Sequence, residues 1–175
     1  YSGCIVGLNA CNLSGSLVIY GCSSSGSIGN YGGGIVGGLY DVAGAITCEQ
    51  CWSTGAIGDR AGGIFGIVSG SSLTANKCYS TGSIGIEAGG IFGKSAFSAT
   101  ASNCYSLGNI ATSGGGIFGS DAGNGGGVTV ATNCYSVGTF ATSGSGIYGV
   151  DKVSGTEPNC YAANGTWSTS SANAN

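Results

Sequence analysis

The chain has 175 residues, of which 38 are Gly and 9 are Cys, with one Pro, no Met and no His. Four Lys or Arg and seven Asp or Glu leave a net charge of −3, while 42% apolar residues supply a core and exclude disorder by charge. The cations Arg60, Lys77, Lys94 and Lys152 are scattered, so no basic patch forms and nucleic acid is excluded as a partner.

Residues 1–40 carry no charge, yet Gly and Ser interrupt them every few positions, and the run of about 20 apolar residues that a membrane span needs is absent. The chain opens on Tyr1 with no basic segment leading into an apolar one, so any export signal is expected to have been removed or to lie elsewhere. From Cys22 onward one module recurs: CSSSGSIGNYGGGIVG, then CWSTGAIGDRAGGIFG from Cys51, CYSTGSIGIEAGGIFG from Cys78, CYSLGNIATSGGGIFG from Cys104 and CYSVGTFATSGSGIYG from Cys134. The repeats are 22–50, 51–77, 78–103, 104–133 and 134–159, flanked by partial modules at 1–21 (SGCIVG around Ile5) and 160–175 (CYAANGTWSTSSANAN). Ile35, Ile64, Ile91, Ile117 and Ile147 each lie 13 residues after their Cys, whereas the stretch before the next Cys varies from 11 to 15 residues. That stretch reads as a tolerant arc or loop.

Collagen is excluded because Gly does not recur at every third position. Helical repeats are excluded because no module holds a helical apolar stripe. Alternation fits instead: in Cys78–Ile84 the residues Cys, Ser, Gly and Ile fall on one face and Tyr, Thr and Ser on the other. The expected fold is all-β, a single-domain parallel β-solenoid of about six coils of 26–30 residues. Its inward ladders are Cys22, Cys51, Cys78, Cys104, Cys134 and Cys160; Ile35, Ile64, Ile91, Ile117 and Ile147; and Ile28, Ile57, Ile84, Ile110 and Phe140. Paired glycines such as Gly62–Gly63, Gly89–Gly90 and Gly115–Gly116 mark a corner or a narrow cross-section.

The recurring GGIFG, a short arc, and NCYSTGxI before the next GGIFG resemble the GLUG-motif repeats, through Gly33-Gly34-Ile35, Gly62-Gly63-Ile64, Gly89-Gly90-Ile91 and Asn103-Cys104-Tyr105-Ser106 over residues 22 to about 165. That resemblance implies a microbial surface protein with adhesive or scaffolding use and brings no catalytic residues. The cysteine in every module departs from many such repeats.

Nine cysteines leave at least one unpaired, and one inward Cys per coil is explained by packing of a small apolar side chain. Cys4, Cys11 and Cys48 lie outside the ladder. Cys48 and Cys51 form a CxxC, but with no second CxxC and no His a zinc site lacks ligands, and a local disulfide through Cys48 or Cys11 is the favoured alternative. The residue after each ladder Cys gives an outer aromatic stripe of Trp52, Tyr79, Tyr105, Tyr135 and Tyr161, read first as a stabilising cross-strand ladder and second as a carbohydrate-stacking surface.

Arg60 and Glu87, each nine residues past its Cys, are expected to form a surface ion pair between adjacent coils. Asp121 and Asp151 fall at equivalent positions near Lys152, the one carboxylate pair that a calcium ion could bridge, as a weak metal candidate. Without His, convergent carboxylates or a phosphate loop, no enzymatic activity and no cofactor are expected.

The two partial modules are complementary halves, so the leading expectation is a structural protein that stacks head-to-tail on copies of itself into a filament, through Cys4, Ile5 and Val6 at one end and Cys160, Tyr161 and Trp167 at the other. A boundary within a longer array would produce the same halves and lead instead to a stalk or carbohydrate-binding adhesin segment. Ice binding ranks third, since Thr54 and Thr81 are interrupted by Ser25, Leu107 and Val137 in their rank. Low charge and the sequons at Asn12 and Asn164 suit an extracellular or cell-surface location.

Overall fold

A computed structural model describes residues 2–7, 15–39, 44–68 and 72–162. Cys11, Asn12, Asn164 and Trp167 lie outside the described residues. The alternating sequence folds into two parallel sheets of six strands each. The first contains β1 (Ser16–Tyr20), β3 (Ala45–Glu49), β5 (Ser72–Asn76), β7 (Ser98–Ser102), β9 (Thr129–Thr132) and β11 (Gly155–Thr156). The second contains the two-residue strands β2 (Ser23–Ser24), β4 (Trp52–Ser53), β6 (Tyr79–Ser80), β8 (Tyr105–Ser106), β10 (Tyr135–Ser136) and β12 (Tyr161–Ala162). Each strand pairs with its counterpart one module away, so the chain is a β-solenoid whose coils are the sequence modules. Isolated parallel bridges continue the register through the rest of each coil, as in Ile28–Ile57–Ile84–Ile110–Phe140 and Val36–Phe65–Phe92–Phe118–Tyr148.

The length-variable stretch before each Cys is not the loop that its variable spacing suggests. Its last residues form the longest strands of the molecule, β1, β3, β5, β7 and β9, and length change is confined to what precedes them. These strands alternate as strands must: Ile46 and Cys48, Leu73 and Ala75, and Ala99 and Ala101 point inward, while Thr47, Thr74 and Thr100 stay half-exposed.

The coil turns at residues with left-handed backbone. One such corner precedes every ladder Cys (Gly21, Gln50, Lys77, Asn103, Asn133 and Asn159), and a second lies nine residues after it (Tyr31, Arg60, Glu87, Ser113 and Ser143). Only Gly21 among these is glycine, so the conformation carries a local cost. It is held by stacking: the corner amides donate to the next coil, Gln50 to Asn76, Lys77 to Ser102, Asn103 to Thr132, Arg60 to Ile86 and Glu87 to Thr112, at 2.8–3.1 Å. Side-chain amides add a rung on the outside, from Asn133 to Asn103 and from Asn159 to Asn133.

The core is a set of ladders. Ile35, Ile64, Ile91, Ile117 and Ile147 are fully buried, as are Cys51, Cys78 and Cys104, with Cys134 and Cys160 nearly so. Beside them Phe65, Phe92, Phe118 and Tyr148 stack with ring centroids 4.9 Å apart. The paired glycines mark the narrow cross-section: a Cβ at Gly63 would lie 2.1 Å from the Gly90 carbonyl oxygen and 2.8 Å from Ser80 Cβ of the next coil.

Candidate functional site

Among the described residues no three Asp, Glu, His or Cys side chains converge, and the functional candidates are the ladders, the surface ranks and the two ends of the coil. The cysteine ladder is a column of free thiols. Cys48 and Cys51 both point inward on opposite sides of the Gln50 corner, each in its own rank, and both are free. This corrects the expectation of a local disulfide through Cys48. From Cys51 on, each ladder thiol faces two carbonyls, that of the residue two before it and one in the preceding coil: Glu49 and Ile19 for Cys51 (3.4 and 3.6 Å), Ser102 and Ala75 for Cys104 (3.3 and 3.5 Å), and Thr132 and Ala101 for Cys134 (3.3 and 3.5 Å). Burial pushes the Cys48 and Cys51 thiols up. Hydrogen bonds with Cys134 and Cys78, together with burial, do the same for Cys104. Hydrogen bonds from Cys104 hold the Cys78 and Cys134 thiols below their ordinary range, so the direction alternates along the column.

The aromatic stripe lies on the outer face of the short-stranded sheet. Trp52, Tyr79, Tyr105 and Tyr135 stack successively, with centroids 5.9, 4.8 and 4.9 Å apart and planes within 5° of parallel. Tyr135 and Tyr161 are exposed. Ring faces are thereby spent on one another, and the stripe turns ring edges outward. A rank that the sequence reading missed runs along the other sheet, four residues before each Cys: Val18, Thr47, Thr74, Thr100, Val130 and Thr156, in strict register. It was hidden because those residues sit in the stretch read as a loop.

Four of the charged side chains, Arg60, Glu87, Lys94 and Asp121, meet in one network. Arg60 Nε donates to Glu87 Oε2 at 2.6 Å, and Lys94 Nζ bridges Glu87 at 2.8 Å and Asp121 at 3.2 Å. Arg60 also donates to the Tyr31 hydroxyl. The Arg60–Glu87 pair forms as expected. Asp121, read as half of a calcium bridge with Asp151, is instead engaged by Lys94, and no three Asp, Glu or Cys side chains among the described residues converge as a metal site requires. Lys152 sits over the Tyr148 ring at 4.6 Å.

Lys94 and Arg60 hold the Glu87 carboxyl below its ordinary range. A depressed folded value means that the stabilisation is complete above the unfolded carboxylate value of about 4.3 and is lost as pH falls through the lower, folded one. Glu87→Gln is therefore expected to lower stability at pH 7 by no more than about 1 kcal/mol, the group being part-exposed. Thermal melts of the two proteins should converge below pH 4.3, about the unfolded carboxylate value.

At the ends, β1 and β2 bound the sheets on one side and β11 and β12 on the other. Cys4 and Ile5 are exposed and Val6 half-buried, bridged to Val36; Cys160 is buried and Tyr161 exposed. Within the stack the amide after each ladder Cys donates downward to the previous ladder Cys carbonyl, from Trp52 to Cys22 through Tyr161 to Cys134, and the amide two further on does the same, Thr54 to Ser24 through Val137 to Ser106. By that pattern the Ser23 and Ser25 amides face the open side of β2, and the Cys160 and Ala162 carbonyls face the open side of β12. The chain matches no known family model, no curated protein and no solved structure.

Proposed function

We propose that this chain is a structural β-solenoid subunit that stacks head-to-tail on copies of itself into an extracellular filament. The reading rests on one observation, the matching edges of the described coils. The Ser23 and Ser25 amides of one copy would meet the Cys160 and Ala162 carbonyls of the next in the pattern that already joins successive coils. The ramp of the coil supports the same register: Ile5 and Val6 would continue the ranks that end at Ile147 and Tyr148, and Cys22 the rank that ends at Cys160. A surface location follows the resemblance to GLUG-motif repeats.

The test is negative-stain electron microscopy of the purified chain beside Ser23→Pro. Proline removes an edge amide that bonds nothing within the described coils and is tolerated at sheet edges, so circular dichroism should be unchanged while filaments disappear. Filaments that persist in Ser23→Pro, or isolated short rods in both samples, would overturn the proposal.

Ice binding is a second reading, favoured by the in-register, half-exposed Thr47, Thr74 and Thr100 rank on the long-stranded sheet. Its signature is thermal hysteresis that Thr74→Lys abolishes. A carbohydrate-stacking role for the aromatic stripe is weaker, because stacked rings leave few free faces.

A further inference from the structure

The cysteine ladder is more regular than core packing demands. Alanine fills the neighbouring inward rank at Ala75, Ala101 and Ala131 with full burial, so a small side chain suffices, yet sulfur recurs in every coil from Cys22 to Cys160. The thiols from Cys51 to Cys160 face equivalent carbonyls, which fixes one rotamer throughout. Successive sulfurs therefore repeat at the coil rise, which the stacked rings place at 4.8–4.9 Å.

We propose that neighbouring rungs of this ladder form linear, two-coordinate sites for a soft closed-shell cation, with Cys22–Cys51 as the site of entry. A metal–thiolate bond is about 2.3 Å long, so two in line span about 4.6 Å, close to the repeat of the ladder. Thiolate ligands select soft ions over hard ones. No three ligating side chains converge among the described residues, which fits two-coordination and not the tetrahedral geometry of zinc. Among the described residues the buried polar side chains are all Ser or Thr, so none of them offers a charge to offset an ion. A divalent cation held by two thiolates is neutral and meets that constraint. Access is from one end, because Cys22 is half-buried and the other five rungs are at most 3% exposed.

The step is a ligand exchange without redox change: Hg²⁺ and two R–SH give RS–Hg–SR, with two S–Hg bonds formed and two protons released to solvent. The test uses the full, reduced chain carrying Cys4→Ala and Cys11→Ala, titrated with mercuric ion. The expected result is a first ion bound by two sulfurs, seen by X-ray absorption, with two protons released, an unchanged circular dichroism spectrum and a raised melting temperature. Adding Cys22→Ala should weaken this first site by more than about 100-fold, at least the loss seen when even an outer partner of a metal site is removed. Cys51→Ser provides a second variant should the first perturb the end coil. One-sulfur coordination, uptake only with loss of the fold, or undiminished affinity in both folded variants would overturn the proposal.

Discussion

Phe92→Ala is expected to destabilise the chain by about 3–5 kcal/mol, the cost of emptying a large buried aromatic site. The ring is fully buried and lies between Phe65 and Phe118, 4.9 Å from each, so the cavity opens in the middle of a continuous stack. Its neighbours cannot close the gap by shifting toward it, because their backbones are fixed at the coil repeat by hydrogen bonds, Phe65 to Ile91 at 2.9 Å and Phe118 to Ile147 at 2.8 Å. Tyr105→Ala is the control. That ring also stacks on both sides, but on the outer face and part-exposed, where a cross-strand pair contributes about 0.2–1 kcal/mol. Urea denaturation should separate the two variants clearly. Equal losses would mean that the inner stack is not the principal core.

Gly90→Ala adds a single methyl group and is expected to cost about 3 kcal/mol or more, at or beyond the upper end of overpacking. The new Cβ would stand 2.1 Å from the Gly116 carbonyl oxygen and 2.7 Å from Ser106 Cβ. Both atoms belong to the next coil, and neither is the mobile end of a long side chain. Relief requires the coils to separate, which breaks the Gly90-to-Gly115 hydrogen bond and its neighbours. Gly29→Ala is the matched control, because a Cβ there meets nothing within 4 Å and its backbone is not left-handed. That change should be neutral, or stabilising by about 0.4–1 kcal/mol through a less flexible unfolded chain. Melting temperatures of the two alanine variants test whether the glycine pairs exist for close approach between coils.

The solenoid was legible because a parallel stack repeats each inward position once per coil. The Cys and Ile ladders could thus be read from fixed offsets, and the Arg60–Glu87 pair from equal distances past successive cysteines. Harder to read was the division of the coil into strands. The longest strands occupy the stretch of variable length, because insertions shift where that stretch begins while register with the neighbouring coil fixes where it ends, at the corner before Cys. The Thr47–Thr74–Thr100 rank was lost for this reason. The Phe65–Phe92–Phe118 stack lay inside GGIFG, where attention to the isoleucine concealed a second inward residue: the bend of the coil turns both side chains toward the interior. The alignment of Asp121 with Asp151 left out Lys94, three residues past Ile91 in the preceding coil, which pairs with Asp121 at 3.2 Å.

Cryo-electron microscopy of the filaments, resolved to individual rungs, tests head-to-tail stacking most directly. The account predicts that β12 of one copy and β2 of the next are separated by the same 4.8–4.9 Å as neighbouring coils within a copy, with Cys22 in line with Cys160. A junction through the flat faces, or a break in rung spacing between copies, would contradict it.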